Sequence, residues 1–198
     1  MMRSSTPNRE ESERRVRACV AAGDVGSGVT GVLRLYGAEV FGFVAALIET
    51  PAIARDVYAT VGEQMACSLA GFEWRCDLRT WMYLLARREL AAFRERNGAP
   101  AEIPSGPQKP PSSSPFRQKA FRDVLSTLRR RLPVQDREIL ILRVDRRLSW
   151  RSLAITGLGD RATDAELARE EARLRDRLER IKEKLGQIAR DHGILVAR

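Results

Sequence analysis

The stretch Asn97–Phe116, NGAPAEIPSGPQKPPSSSPF, constrains this chain more than any other. Pro100, Pro104, Pro107, Pro110, Pro111 and Pro115 remove backbone donors and fix φ, with glycines and serines between them. Such a run cannot form a packed element, so residues 97–119 read as a flexible, partly extended linker. A solvated loop inside one domain is the alternative, but about twenty structureless residues are uncommon within a compact domain. Two separately folded halves are therefore expected.

Both halves read as almost wholly helical, which makes the fold class all-α. Asn8 is placed to cap a first helix, with Glu10 and Glu11 in its first turn and Val16, Cys19 and Val20 on one face. The glycine-rich run Gly23–Gly31 is expected to break it, which leaves residues 1–28 as an N-terminal segment with one helix. A second helix is expected over Val32–Glu49, with Leu33, Tyr36, Val40, Phe43, Val44 and Leu47 as its apolar stripe. Thr50-Pro51 opens a third that runs to about Leu69, with Ile53, Val57, Val61 and Met65 on one face. After a loop over Gly71–Cys76, Asp77 caps a fourth, which carries Leu78, Trp81, Met82, Leu85 and Leu90. These helices form a domain over 29–96.

The second domain spans 120–198. Phe121, Val124, Leu125 and Leu128 mark its first helix; Pro133 opens another, with Ile139, Leu140, Leu142 and Val144 inside. Ser149 caps a short helix over Trp150–Thr156, and Gly157 and Gly159 make a turn. Thr163-Asp164-Ala165-Glu166 is a capping box that opens a long last helix, with Leu174, Leu178, Ile181, Leu185 and Ile188 as an apolar seam. Arg173, Arg175, Arg177, Arg180, Lys182 and Lys184 lie away from that seam. A short helix, a glycine turn and a basic second helix is a helix-turn-helix pattern. A merely solvated basic face would read the same way.

The net charge of +9 and the pI near 10.3 suggest a polyanionic partner, nucleic acid before a membrane surface. Residues 1–115 carry 14 basic and 13 acidic side chains, and residues 116–198 carry 21 and 13, so the excess sits in the second half. The first half holds a different signal. Gly71–Arg96 puts Trp74, Trp81 and Tyr83 among Arg75, Arg79, Arg87, Arg88, Arg94 and Arg96, with Arg55 just upstream. Rings stack on exposed bases and guanidiniums pair with phosphates, which is what holding opened nucleic acid requires. An amphipathic helix with an aromatic core stripe is the bland alternative.

Other classes find little support. Cys19, Cys67 and Cys76 form no C-x-x-C pair and His192 is the one histidine, so neither a zinc site nor a disulfide framework is expected. The polar start carries no secretory signal and no run of about 18 apolar residues occurs, which points to cytoplasmic residence and no membrane partner. No phosphate-cradling or dinucleotide glycine motif and no acid–base constellation is present. The chain is not expected to be an enzyme, to take a small-molecule substrate, or to carry a cofactor or metal.

Leu78-Arg79-Thr80-Trp81-Met82-Tyr83-Leu84-Leu85-Ala86-Arg87 resembles the F/L-R-T-W-L-Y-x-I-A-R segment of region 2 in bacterial RNA polymerase sigma factors of the small, extracytoplasmic-function type. Leu35-Tyr36-Gly37 and Ala54-Arg55-Asp56-Val57 stand where that family has L-Y-x-x-Y and A-E-D-L/V. Leu132-Pro133-Val134-Gln135-Asp136-Arg137-Glu138-Ile139-Leu140 follows the L-P-x-x-x-R-E-V/I-L of region 4, and Leu148-Ser149-Trp150 replaces its L-S-Y. Residues 174–185, LRDRLERIKEKL, resemble its recognition helix. The resemblance covers about residues 30–95 and 120–186. It implies a region 2-like bundle and a region 4-like helix-turn-helix domain on a proline-rich linker, core RNA polymerase and promoter DNA as partners, and an anti-sigma protein as a further candidate. It implies −10 contacts by Trp74, Arg75, Arg79, Arg87 and Arg88, with Trp81 mainly in the core. It implies −35 contacts by Arg173, Arg175, Arg177, Arg180, Lys182 and Lys184. Polymerase contact falls to Asp56, Tyr58, Glu63 and Gln64.

Two departures qualify it. Where the family continues with V-Q-E-x-F, this chain has Tyr58-Ala59-Thr60-Val61-Gly62, which implies a polymerase contact that is either altered there or displaced toward Glu63 and Gln64. Between Ser149 and Leu174 lie about ten residues beyond the family pattern, GLGDRATDAELAREEA. The last helix therefore starts either at Thr163, with acids in its first turns, or near Arg173. A sigma-derived interaction protein, or a helix-turn-helix regulator without initiation activity, is the alternative function.

Overall fold

The computed structural model of the protein describes residues 9–48, 50–98 and 129–191, and every regular element among them is helical. The Asn8 cap, the proline-rich linker, the helix marked by Phe121, Val124, Leu125 and Leu128, and His192 lie outside the described residues. The chain divides into two units, Met1–Gly98 with Ala154–Asp164, and Ala99–Leu153 with Ala165–Arg198.

In the first unit α1 (Arg9–Ala21) packs on α2 (Val25–Val32). The glycine-rich run breaks the first helix as expected, but only at its start; from Val25 on it is itself helical. Only Gly23, at φ 80, and Asp24 turn the chain, and Asp24 Oδ1 accepts from the Ser27 amide at 3.1 Å to start α2. The glycines serve close packing instead. A Cβ on Gly31 would lie 2.6 Å from Val16 Cγ2, and one on Gly28 3.0 Å from Val20 Cγ2. Helix α2 passes through a π-type turn, Leu33–Gly37, into α3 (Ala38–Leu47). A wide turn shifts the helical register. Val32 accordingly takes the buried place expected of Leu33, which is 37% exposed.

Helix α4 (Pro51–Ser68) begins on its proline, and α5 (Leu78–Asn97) on Asp77, whose Oδ1 accepts from the Thr80 amide at 2.7 Å. Tyr36, Phe43, Met65, Leu69, Leu78, Met82, Tyr83, Leu84 and Leu90 bury their side chains completely. Phe43 and Tyr83 meet edge to face at 5.4 Å and 84°, a geometry worth about 0.5–1.5 kcal/mol beyond the area it hides. Contrary to expectation, the helical run Val25–Leu47 is long and apolar enough to cross a membrane by length and composition. A buried core helix meets the same criterion, and Val32, Tyr36, Val40, Phe43, Val44 and Leu47 are buried within the unit.

In the second unit α6 (Val134–Leu140) follows Pro133 and continues in a π-type turn, Ile141–Asp145. Ile139, Leu140 and Leu142 are buried as their spacing predicts; Val144, expected inside, is 46% exposed because the wide turn carries it out of register. The Arg129 guanidinium forks onto the Asp145 carboxylate at 2.7 and 3.1 Å. Arg147, at φ 55, turns the chain, and Ser149 Oγ accepts from the Ser152 amide at 2.9 Å to cap α7 (Trp150–Leu158), whose residues from Ala154 onward belong to the first unit. Helix α8 (Asp164–Asp191) opens directly after Thr163, so of the two starts the sequence allows it takes the earlier. Leu174, Leu178 and Ile181 are buried along its seam, and Leu185 and Ile188 are half-buried.

Candidate nucleic-acid interface

Between α4 and α5 the chain crosses a short loop whose centre is Trp74. Its φ of 58 is rare for so bulky a side chain, and such a conformation persists only where neighbours hold it. Phe72 lies against the indole, centroids 4.9 Å apart and tilted by 49°. Phe72 in turn stacks on the buried Trp81 at 4.5 Å and 23°, which ties the loop to the core. Arg17, from α1 and itself exposed, places its guanidinium carbon 5.1 Å from the Trp74 centroid. A cation–π contact at an exposed site is worth about 0.5–1 kcal/mol. The indole itself is half-exposed.

Charged neighbours frame this ring. Arg75 Nε donates to Glu73 at 2.6 Å, and Arg161 Nη2 donates to the same carboxylate at 2.8 Å. The Arg75 hydrogen bond, with the charges of Arg161 and Arg75, holds the Glu73 carboxyl below its usual range. Cys76 is half-buried, and burial, aided by Asp77 and Asp160, pushes its thiol up to about 12, away from the reactive thiolate. Cys19 is half-buried like it, whereas Cys67 is exposed.

The remaining region 2-like candidates occupy different settings. Arg79 is engaged by Glu39: its Nε donates to Oε1 at 3.0 Å and its Nη2 pairs with the same oxygen. Tyr83 donates to Glu39 Oε1 at 3.0 Å, and Arg9 reaches Oε2 at 3.2 Å. Burial would raise the Glu39 carboxyl, but Arg79, the Tyr83 hydroxyl and Arg9 outweigh it and hold the group below the usual carboxylate range. Arg87 Nη1 donates to Thr156 Oγ1 at 3.0 Å, and Arg88 is exposed. A Cβ on Gly159 would come within 3.2 Å of Arg88 Nη2. The segment 156–161 thus lies beside Glu73, Arg87 and Arg88.

On α4, Asp56 and Glu63 are exposed and seven residues apart, hence on one face. Tyr58 is half-buried and meets Phe41 edge to face at 5.3 Å and 66°. Gln64 is half-buried and donates to Glu89 at 2.9 Å.

The cations of α8 do not share one free face. Arg177 Nε donates to Asp136 Oδ1 at 2.7 Å, and Lys184 stands 3.7 Å from the other carboxylate oxygen. Arg173 pairs with Glu170 at 3.1 Å, Arg175 with Glu171 at 2.8 Å and Lys182 with Glu179 at 2.8 Å. Arg175 and Arg143 lie 5.4 and 4.6 Å from the centroid of Trp150. Arg173, Arg177, Arg180 and Lys184 border a groove of about 540 Å³ that Asp136 and Glu170 also line.

Sequence reasoning missed Arg17, Phe72, Glu39 and Asp136. Glu39 had a signal, since it lies three residues after Tyr36 and four before Phe43, inside an apolar stripe where a carboxylate needs a partner. Among the described residues no cluster of three potential metal ligands occurs. Comparison with known proteins finds no matching family model and no matching curated protein.

Proposed function

We propose that the protein is a promoter-specificity subunit of RNA polymerase: a cytoplasmic, non-enzymatic sigma factor without cofactor or metal. A region 2-like domain over 29–96 takes the −10 element, and a region 4-like domain over 120–198 takes the −35 element. The linker over 97–119 joins them.

The observation that carries this reading is the Trp74 loop. A half-exposed indole sits in left-handed backbone, anchored through Phe72 to the core and flanked by Arg17 and Arg75. Stacking of an unpaired base on such a ring is worth about 1–3 kcal/mol, more than the exposed cation–π contact it replaces. The loop leads into the Arg79–Arg87 segment that resembles region 2, and Arg87 and Arg88 can follow phosphates without selecting sequence. Exposed Asp56 and Glu63 supply a polymerase-facing edge on α4.

The test is run-off transcription with purified core polymerase on a genomic promoter library. Discrete transcripts that depend on the protein support the reading. Failure to associate with core polymerase in a pull-down, with no transcripts, overturns it. The second reading, a sigma-derived interaction protein, draws on Tyr58–Gly62, which lacks the glutamine and glutamate of the family's polymerase-facing run. It gains if the protein captures an anti-sigma protein yet leaves polymerase unbound.

A further inference from the structure

We infer that Arg17, on α1, belongs to the nucleic-acid interface: it covers the Trp74 ring in the free protein and moves to a backbone phosphate once a base stacks there. The inference rests on the reading of Trp74 as a base platform. It assigns a nucleic-acid role to a helix outside the stretch that resembles sigma region 2.

Arg17 is placed by a fixed element. Helix α1 is clamped to the unit by the close approach at Gly28 and Gly31, by the Tyr36 hydroxyl on Glu13, and by Arg9 on Glu39. Two of the other three arginines of α1 have carboxylate partners, Arg9 with Glu39 and Arg15 with Glu11. Arg17 has none among the described residues. Its helical neighbour one turn earlier, Glu13, is engaged by Tyr36, so the exposed guanidinium rests on the indole.

The chemistry of that contact suits exchange. A guanidinium is planar and lies on an aromatic face as a base does. An exposed cation–π contact is weaker than base–aromatic stacking, so an unpaired base can displace Arg17 from the ring. A nucleotide stacked on Trp74 carries its phosphates at the edge of the ring, within the sweep of an arginine whose Cα does not move. The displaced cation then gains a charge-assisted partner, which it has from none of the described residues. Phe72 cannot yield in the same way, because it is buried and stacked on Trp81.

The test uses the full chain and a short, mixed-sequence single-stranded DNA, followed by fluorescence anisotropy across a salt series. Arg17→Ala, Arg17→Lys and Trp74→Ala are compared with the parent, and circular dichroism checks that each is folded. Arg17→Ala is expected to weaken binding about five-fold at low salt and to reduce the slope of log K against log salt by about 0.7, the value of one single-strand phosphate contact. Arg17→Lys should keep the parent slope, since a lysine still neutralises a phosphate. Trp74→Ala should weaken binding while the salt slope stays near that of the parent. If Arg17→Ala binds as the parent does, or more tightly, while Trp74→Ala still weakens binding, Arg17 is only a cover and the inference falls alone. If Trp74→Ala has no effect, or the parent does not bind, the base-platform reading falls and takes the inference with it.

Discussion

Arg177 Nε lies 2.7 Å from Oδ1 of Asp136, an aspartate in the first turn of α6 that is 4% exposed. The pair joins α6 to α8 across 41 residues of sequence. A buried carboxylate needs a partner, and removing that partner leaves an uncompensated charge. Arg177 is 40% exposed, which softens the loss through solvent, and Lys184 stands in reserve.

Arg177→Ala is therefore expected to lower the stability of the protein by about 1–3 kcal/mol, whereas Arg173→Ala, whose side chain is 81% exposed, should stay within about 0.5 kcal/mol. Urea unfolding of the two variants measures the difference. Equal stabilities would mean that the Asp136 pair contributes nothing and that Arg177 is as free for DNA as Arg173. A variant that loses both stability and DNA affinity has to be compared with Asp136→Asn, which releases Arg177 without removing it.

The close approach of α1 and α2 gives a second test. Gly31→Ala would push a Cβ to within 2.6 Å of Val16 Cγ2, a stiff, buried, β-branched neighbour, and should cost about 1–3 kcal/mol. Gly62, in the middle of α4, has nothing within 4 Å of its Cβ position. Gly62→Ala should instead stabilise by about 0.5–1 kcal/mol, the helix-propensity gain. Thermal melts that shift both variants in the same direction would sink this account of the glycine-rich run.

Glu39 gives a dependence on pH. Its carboxyl is held below the usual range in the folded protein, so its contribution is full above the unfolded carboxylate value of about 4.3. That contribution is lost as pH falls through the lower, folded value. The stability difference between the parent and Glu39→Gln should be constant at neutral pH and shrink only below about pH 4.3. Urea midpoints across acid pH report it. A difference that grows on acidification would show the Arg79, Tyr83 and Arg9 network to be unfavourable to the charged form.

These cases mark what the sequence made legible. Asp77, Ser149 and Thr163 were readable as helix starts because capping links residues two or three apart. Leu174, Leu178 and Ile181 were readable because a helical stripe repeats locally. Glycines read as breakers when only local propensity is weighed; what decided Gly28 and Gly31 was α1, a separate helix. The pairs Glu39–Arg79 and Asp136–Arg177 link different helices, so no local pattern announces which arginines are already partnered. The two wide turns, Leu33–Gly37 and Ile141–Asp145, shifted Leu33 and Val144 outward against a strict period.

Trp74 and Arg75 carry the prediction closest to function. The run of ring contacts Trp81–Phe72–Trp74 fixes where the indole stands, and Arg75 is tethered beside it by Glu73. If the indole holds a base extruded from the −10 element, the double change Trp74→Ala with Arg75→Ala removes stacking worth about 1–3 kcal/mol, enough to reduce a marginal open complex at least several-fold. Closed-complex binding should persist, because phosphate contacts elsewhere on the protein do not depend on the loop. Permanganate footprinting with reconstituted polymerase reads strand opening, and a mobility shift reads closed binding. Loss of the footprint with an unchanged shift supports base capture. A normal footprint in the double variant would leave Trp74 as a residue that only braces the α4–α5 loop.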